Sequence, residues 1–129
     1  MRLSEHQAAF TRDLGKFLRA VQVLFHDRYR IRILEVKRSV PEQKRLKELG
    51  LSWVRNLGTA PHVEGRALDI ALDIRTDTGW EWQSRSEDYE ELGELWESLS
   101  PYNRWGGRFN DGCHFERMKS KREDPPEVA

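Results

Sequence analysis

Cysteine is almost absent from this sequence, which contains only one, Cys113. A single cysteine cannot form a disulfide within the chain, nor can it build a zinc site from several thiolates. An excess of basic residues is also lacking, because 22 Lys and Arg balance 22 Asp and Glu. This balance argues against a protein that binds nucleic acid or anionic membranes through its overall charge. We therefore expect no nucleic-acid partner, and any metal site must use histidine, aspartate or glutamate.

Long apolar runs are missing as well. None approaches the roughly 18 residues that a membrane-spanning helix needs, and the N-terminal segment MRLSEHQAAFTRDLGKF has no apolar stretch of signal-peptide length. We expect a monomer that is made in the cytoplasm without a signal peptide and does not insert into membranes. The 129 residues, 37% of them hydrophobic, are enough for one globular domain with a buried core. We predict this domain over residues 1–119, followed by a flexible polar tail over 120–129.

The hydrophobic periodicity predicts an α+β fold, with a small, mainly antiparallel sheet and about three helices packed around it. Ser4 and Gln7 have the spacing of a capping box at the start of the first helix, and Ser86 can cap the third. The elements are helices over 5–26, from Ser39 to Gly50 and from Ser86 to Pro101, strands over 29–36 and 66–74, a loop over 51–65, and a final hairpin from Trp105 to Met118.

The strand over 66–74 alternates between an apolar face and a face of small and acidic residues. Asp69 lies between Ala67 and Ala71 on that second face, so there is room for a metal ion beside its carboxylate. Asp73 shares the face but lies roughly 13 Å further along the strand. We therefore interpret Asp73 as a solvent-exposed or second-site charge.

Four histidines are available as ligands, and two of them are placed near carboxylates. His62 lies in the loop before the strand that carries Asp69, and His114 follows Asp111 by three residues. Two histidines and one carboxylate, with one position open, form a recurring catalytic zinc set. His6 and His26, at the two ends of the first helix, are expected to be surface or capping residues. The residue pattern leaves open that His62 caps a loop and that His114 is a core histidine.

Asp111 is the candidate general base of such a site. A carboxylate three residues before a ligand histidine, with Gly112 easing the turn, can lie over the open side of the metal and accept a proton from water. Amide hydrolysis also needs a positive group for the developing oxyanion. Arg38, at the junction between the first strand and the second helix, is a candidate that spacing alone does not distinguish from other arginines.

Three segments together resemble the family of zinc D-Ala-D-Ala carboxypeptidases and L-alanyl-D-glutamate endopeptidases, which includes vancomycin-resistance dipeptidases and phage endolysins. The first is Arg38 followed by Glu42-Gln43. The second is APHVEGRALD over 60–69, similar to the family block Ser-x-His-x-x-Gly-x-Ala-x-Asp. The third is WGGRFNDGCHFE over 105–116.

The resemblance implies an α+β fold with a zinc site on the open face of the sheet, and a peptidase that cleaves peptidoglycan stem peptides. It makes His62, Asp69 and His114 the zinc ligands of one Zn²⁺ per chain, Asp111 the base, and Arg38 the group that steadies the oxyanion. From their positions in the sequence, we further predict Trp105, Gly106 and Gln43 as substrate-binding residues. Glu116 lies on the same side of its strand as His114, and we predict it as a hydrogen-bond acceptor that orients this histidine. Where the family block has Ser, this chain has Ala60, which puts the substrate specificity in doubt.

The third block and the short chain look most like phage or prophage lysis proteins, which act on the cell wall in the periplasm. The alternative is a cell-wall-binding or phage structural module that retains zinc without hydrolysis. A non-haem iron oxygenase also uses two histidines and a carboxylate. Its first histidine and acid are usually two positions apart, whereas His62 and Asp69 are seven apart.

Overall fold

The computed structural model describes residues 1–51 and 60–123. In these ranges the chain forms three α-helices and one five-stranded antiparallel sheet, so the predicted α+β fold is confirmed. The elements are α1 (Leu3–Phe25), β1 (Tyr29–Glu35), α2 (Val40–Glu48), β2 (Ala67–Thr76), β3 (Gly79–Gln83), α3 (Glu90–Ser98), β4 (Asn103–Trp105) and β5 (His114–Arg117), with short 3-10 helices at Ser86–Tyr89 and Gly106–Phe109.

Strand β2 is the centre of the sheet and pairs with three other strands. β1 runs along one side of it, while β5 and β3 pair with its first and last residues on the other side. β4 extends the sheet beyond β5. Because every pair is antiparallel, residues directly opposite each other on neighbouring strands lie on the same face of the sheet.

The apolar face of β2 packs against α1 and α3. Leu68, Ile70 and Leu72 are fully buried there, in one cluster with Phe17 of α1 and Trp96 of α3. Burying each such side chain contributes roughly 1.5–3 kcal/mol relative to leaving it exposed. The helices therefore cover one face of β2, and Asp69 is left on the opposite face, as the alternating sequence predicts.

Two predicted helix caps are wrong. The first helix begins before Ser4, because the Glu5 carboxylate accepts a hydrogen bond of 3.1 Å from the Arg2 backbone N–H and caps the helix there. Ser86 does not cap an α-helix but lies in the short 3-10 helix before α3. Its hydroxyl accepts a hydrogen bond of 3.0 Å from the Gly112 N–H instead.

The second helix has the predicted cap, because Ser39 Oγ accepts a hydrogen bond of 3.2 Å from the Glu42 N–H. Of the loop predicted over 51–65, residues 52–59 lie outside the described residues, and residues 61–65 form a turn. The tail predicted over 120–129 falls largely on residues 124–129, also outside the described part. Among the helices of the two described ranges, none is long and apolar enough to cross a membrane.

Two charged or polar residues are more buried than the sequence suggests. His6, predicted as a surface or capping residue, is 2% exposed, and its Nδ1 accepts a hydrogen bond from Arg117 Nε at 3.2 Å. Asp73, predicted as a solvent-exposed or second-site charge, is also 2% exposed. It is covered by Arg30 and Arg32 of β1, whose position opposite β2 depends on long-range strand pairing.

Candidate metal centre

His62 is fixed in the turn before β2 by contacts with the segment after β1. Its carbonyl accepts hydrogen bonds from the Arg38 N–H at 2.9 Å and the Gly65 N–H at 3.3 Å, with Gly65 in the left-handed region at φ 67°. Its ring Nδ1 lies 3.2 Å from the Val36 carbonyl oxygen, which can only accept. The proton therefore belongs on Nδ1, and the lone pair of Nε2 is directed elsewhere.

Strand pairing brings His114 and Asp69 together. The two residues are direct partners in the antiparallel pair of β2 and β5, so their side chains share the open face. Asp69 Oδ1 lies 3.0 Å from His114 Nδ1 and 3.1 Å from His62 Nε2. Two imidazole nitrogens thus converge on one carboxylate oxygen, although His62 and His114 come from distant parts of the chain.

The three predicted ligands form a compact donor set. His62, Asp69 and His114 each offer one ligand atom, and these atoms lie within 4.8 Å of one another. Tetrahedral zinc with ligands at 2.0–2.2 Å holds its donor atoms about 3.3–3.6 Å apart, and the two histidine nitrogens lie 3.0 and 3.1 Å from Asp69 Oδ1, close to that spacing. His62 Nε2 is moreover buried without a hydrogen-bond partner. A buried lone pair of this kind fits a cation ligand, so the residues present suit zinc.

The protonation of the cluster follows from its contacts. Burial raises the pKa of Asp69, but contacts with His114 and His62 outweigh it and hold that pKa well below its usual range. Burial lowers the pKa of His114, while hydrogen bonds to Asp69 and Glu116 raise it to about 9. Asp69 is therefore an anion at neutral pH, and a metal ion that binds His114 Nδ1 must displace a proton.

Glu116 holds the ring of His114 from the other side. Its Oε1 lies 2.7 Å from His114 Nε2, and its Oε2 accepts a hydrogen bond from Arg104 Nη2 at 3.1 Å. A carboxylate on the far nitrogen of a ligand histidine fixes the tautomer and the ring orientation. The structure thus places Glu116 where the sequence predicts an orienting acceptor.

Arg38 lies at the edge of the cluster and is almost fully buried. Its guanidinium donates two hydrogen bonds to Glu35, at 2.8 and 2.9 Å, and one of 2.6 Å to Gln43 Oε1. Arg38 Nη2 also lies 3.7 Å from Asp69 Oδ2, so this edge of the guanidinium faces the cluster. Gln43, predicted to bind substrate, is fully buried and holds Arg38.

Sequence reasoning missed Glu35, which makes the bidentate contact with Arg38. Hydrogen bonds from Arg38 lower the pKa of Glu35 and keep it ionised. The two residues are three positions apart, and a shift in strand register between Ile33 and Glu35 turns the end of β1. The three-residue separation of Glu35 from Arg38 could have suggested an ion pair between them. The register shift that turns the end of the strand cannot be read from the sequence.

Asp111 lies in the tight loop that leads to His114. Its backbone N–H donates to the Gly106 carbonyl at 2.8 Å, and its carbonyl accepts from the His114 N–H at 3.1 Å. The left-handed residue of this loop is Asn110, with φ 60°, rather than Gly112. Gly112 is needed for another reason, since a Cβ there would lie 2.5 Å from Ser86 Cα.

Cys113 lies beside the Asp111 carboxylate. Its Sγ lies 3.5 Å from Asp111 Oδ1, and burial together with the charges of Asp69 and Asp111 raises the pKa of the thiol to about 12. The thiol is therefore protonated at neutral pH. Cys113 also packs against the hydrophobic core, as expected for a residue with a packing role.

Trp105 and Gly106 brace the loop that carries Asp111. The indole Nε1 of Trp105 donates to the Gly112 carbonyl at 2.7 Å, and its ring lies so close to Gly93 that a Cβ there would be 2.1 Å away. Gly106 lets the loop close, because a Cβ on it would lie 2.1 Å from the Asp111 carbonyl oxygen. Their predicted contact with substrate stays a prediction.

Comparison with known proteins supports the predicted resemblance. Residues 55–117, just under half of the chain, match a family model described as D-alanyl-D-alanine carboxypeptidase. The matched segment contains all three cluster residues and Asp111, whereas Arg38 and Gln43 precede it. The resemblance to this peptidase family is confirmed.

The fold is similar to that of a solved bacterial enzyme, described as "Crystal structure of Serratia marcescens L-Ala D-Glu endopeptidase ChiX". The TM-score is 0.55 at 19% sequence identity, over 81% of this chain and 79% of that chain. At this identity the similarity establishes the fold alone. No curated protein sequence matches the chain significantly.

Proposed function

We propose that this chain, which resembles the D-alanyl-D-alanine carboxypeptidase family over residues 55–117, is a zinc-dependent peptidase that hydrolyses an amide bond in peptidoglycan stem peptides. The observation that carries the proposal is the convergence of His62, Asp69 and His114 within the matched segment, with the buried Nε2 of His62 facing the Asp69 carboxylate but making no hydrogen bond. The chain would act as a monomer on the cell wall, as phage or prophage endolysins do.

The bond between L-Ala and D-Glu is the first candidate for cleavage. The solved enzyme with a similar fold is named as an L-Ala D-Glu endopeptidase, whereas the family model is named for D-Ala-D-Ala carboxypeptidases. Hydrolysis of D-Ala-D-Ala is therefore the second candidate. Ala60, in place of the family Ser, lies directly before the His62 turn and is 2% exposed, so it leaves no hydroxyl on this side of the site.

The three cluster residues would hold zinc through His62 Nε2, Asp69 Oδ1 and His114 Nδ1. A zinc ion bound there supplies Lewis-acid chemistry, which polarises a carbonyl and eases the deprotonation of water. The Val36 carbonyl and the Glu116 carboxylate would keep the two imidazoles oriented, because each holds the nitrogen that faces away from the cluster.

Asp111 would move the proton in this reaction. Its carboxylate accepts a proton from the attacking water, whose oxygen forms a bond to the scissile carbonyl carbon. When the C–N bond breaks, Asp111 returns that proton to the leaving amine nitrogen, so the carboxylate is regenerated. Its backbone is tied to the loop by hydrogen bonds at both N–H and C=O, which limits its position relative to His114.

Arg38 would hold the substrate carbonyl and stabilise the developing oxyanion, with Glu35 and Gln43 as positioning residues. Its two hydrogen bonds to Glu35 fix the plane of the guanidinium, and the contact with Gln43 fixes its rotation. A preorganised cation is more effective than a mobile one, because it needs no rearrangement during the reaction.

Digestion of purified muropeptides tests this proposal. The zinc-loaded protein should convert them to products that mass spectrometry identifies by the added mass of water and by their new termini. Asp111→Ala should retain zinc and lose cleavage, while the matched variant Asp77→Ala, in an exposed turn, should cleave normally. A zinc-loaded protein that binds cell walls without cleaving them would instead favour the non-hydrolytic module.

A further inference from the structure

The open face of the sheet continues from the metal cluster to a second surface rich in arginine and tryptophan. Asp73 is the register partner of Arg30 on one side and of Trp82 on the other, and Arg75 is the partner of Trp80. These residues share the face of Asp69, because the intervals along β2 are even. We call the group the arginine–tryptophan surface; it consists of Arg30, Arg32, Asp73, Arg75, Trp80 and Trp82.

This surface carries more positive than negative charge, although the chain as a whole is neutral. Arg30 Nε lies 2.8 Å from Asp73 Oδ2, and Arg32 donates two hydrogen bonds of 3.0 Å to the same carboxylate. Asp73 is buried beneath them, while both arginine side chains remain 52% exposed. Together with Arg75, which lies against Trp80, the surface holds three cations and a single carboxylate that solvent hardly reaches.

Two exposed aromatic rings adjoin these cations. The guanidinium carbon of Arg30 lies 5.0 Å from the Trp80 ring centroid, and that of Arg75 lies 6.0 Å from it. Stacking of this kind holds a guanidinium in place while its N–H edge stays available. Trp82 is 62% exposed. Exposed tryptophan beside fixed arginine is the composition enriched at binding surfaces.

The distance from the cluster matches the length of a short peptide. Four residues of β2 separate Asp69 from Asp73, a span of roughly 13 Å, which about four residues of an extended peptide cover. A substrate held at the cluster and running along β2 would thus bring its distal groups to the arginines.

We infer that the arginine–tryptophan surface binds the acidic stem peptide beyond its scissile bond, with peptide carboxylates on Arg30 and Arg75 and aliphatic groups against Trp82. This inference rests on the proposed function and adds a second recognition site to it. The carboxylates of an anionic peptide complement the positive charge of the surface. About four extended residues also cover the distance between the surface and the metal cluster.

Calorimetry of a soluble five-residue stem peptide binding to the zinc-loaded protein tests the inference, with Asp111→Ala added to every protein compared, including the one that is wild type at this surface, so that the peptide is bound but not cleaved. The double variant Arg30→Gln/Arg75→Gln should bind it roughly five- to tenfold more weakly, since two exposed ion pairs are lost. Arg32 alone still donates two hydrogen bonds to Asp73, so the buried carboxylate stays paired. With the peptide carboxylates converted to amides, wild type and variant should bind equally.

The matched control removes two cations from the other side of the molecule. Lys16→Gln/Arg19→Gln, on exposed positions of α1, should leave the affinity within about twofold, because these positions are far from the peptide. Equal affinity of wild type and Arg30→Gln/Arg75→Gln for the acidic peptide would overturn the inference, as would an equal loss in the control. Tighter binding of single-stranded DNA, lost in the same variant, would also overturn it by assigning the surface to nucleic acid.

The outcomes separate this inference from the proposed function. If wild type cleaves muropeptides and the double variant has an unchanged KM for them, the inference alone fails. If zinc-loaded wild type neither binds nor cleaves the peptide, both fail.

Discussion

Two carboxylates on the open face of β2 have contrasting partners. Asp69 lies 3.0 and 3.1 Å from the imidazoles of His114 and His62, and its side chain is 21% exposed. Asp73, four positions further on, is held by Arg30 and Arg32 at 2.8 and 3.0 Å, and its side chain is only 3% exposed. The same residue type on the same strand face therefore sits in two kinds of site.

The difference lies in the chemistry of the partners. A guanidinium offers only N–H donors and stays charged, so Asp73 is already neutralised by a permanent cation. An imidazole can present a lone pair, and His62 Nε2 is buried beside Asp69 without making a hydrogen bond. The Asp69 site can therefore accept a metal cation, whereas the guanidinium partners of Asp73 have no lone pair with which to bind one.

The largest expected effect comes from removing each carboxylate in turn. Asp69→Asn should lower kcat/KM on muropeptides by about 10³-fold or more, because the metal loses its anionic ligand. Asp73→Asn should change kcat by less than about threefold, because Asp73 offers the metal no ligand, and any effect through Arg30 and Arg32 should fall on KM. Steady-state kinetics on zinc-loaded protein, with circular dichroism as a check of folding, measures both. Similar losses in the two variants would contradict the contrast between the sites.

Removing the group behind His114 should have the next largest effect. Glu116→Gln should weaken zinc binding about 10- to 100-fold, because the neutral amide no longer supports the ligand imidazole as strongly. Competition with a chromogenic chelator measures the affinity. The matched variant Glu81→Gln, at an exposed position of β3, should bind zinc as wild type does; unchanged affinity in Glu116→Gln would show that Glu116 does not support the ligand.

A smaller loss is expected when Arg38 is released from Glu35. Glu35→Gln should lower kcat about tenfold with little change in KM or zinc content, because the cation is less well placed for the transition state. Glu35→Asp, which keeps the charge, should recover part of the rate. A variant with reduced zinc content and normal kcat per bound zinc would instead give Glu35 a structural role.

The smallest effect is on stability and concerns the Asp73 site alone. Hydrogen bonds from Arg32 and Arg30 hold the pKa of Asp73 below its ordinary value. The folded state thus gains stability from the ionised carboxylate at neutral pH. This gain begins to fall below about pH 4, the ordinary value for an unfolded aspartate, and is lost as the pH passes below the lowered pKa of the folded state. Asp73→Asn should cost roughly 1–3 kcal/mol in the free energy of unfolding at pH 7, and less at pH 3, in urea titrations.

Asp77→Asn, in the exposed turn after β2, provides the control for that measurement. Because its carboxylate is exposed, it should change the free energy of unfolding by no more than about 0.5 kcal/mol at either pH. A cost of Asp73→Asn that does not diminish in acid would show that the ion pairs do not account for it.

The sequence singles out the three residues that cluster in the structure through local signals and through the family resemblance. Alternation along β2 assigns Asp69 to the face opposite the core, and few residue types can bind a metal in a chain with one cysteine. The convergence of His62 and His114 on Asp69 was an expectation from the family resemblance, and the structure brings the three residues together.

The features that sequence reasoning missed depend on long-range pairing. Asp73 is buried because the register of β1 places Arg30 opposite it, and Glu35 reaches Arg38 because that register shifts at the end of β1. Neither contact leaves a periodic hydrophobic pattern within a single segment, so neither can be predicted from the sequence. The predicted start of the first helix is wrong for a local reason. The Glu5 carboxylate caps the helix at Arg2, so Ser4 lies inside the helix and does not cap it.

The location of bound zinc is the most direct test of the metal centre. Crystals of the zinc-loaded protein, measured on both sides of the zinc absorption edge, should show one anomalous peak per chain. We expect it about 2.0–2.2 Å from His62 Nε2, Asp69 Oδ1 and His114 Nδ1, with no peak at Asp73. If the zinc peak lies elsewhere, or if no peak lies near these three atoms at saturating zinc, the assignment of His62, Asp69 and His114 as zinc ligands is contradicted.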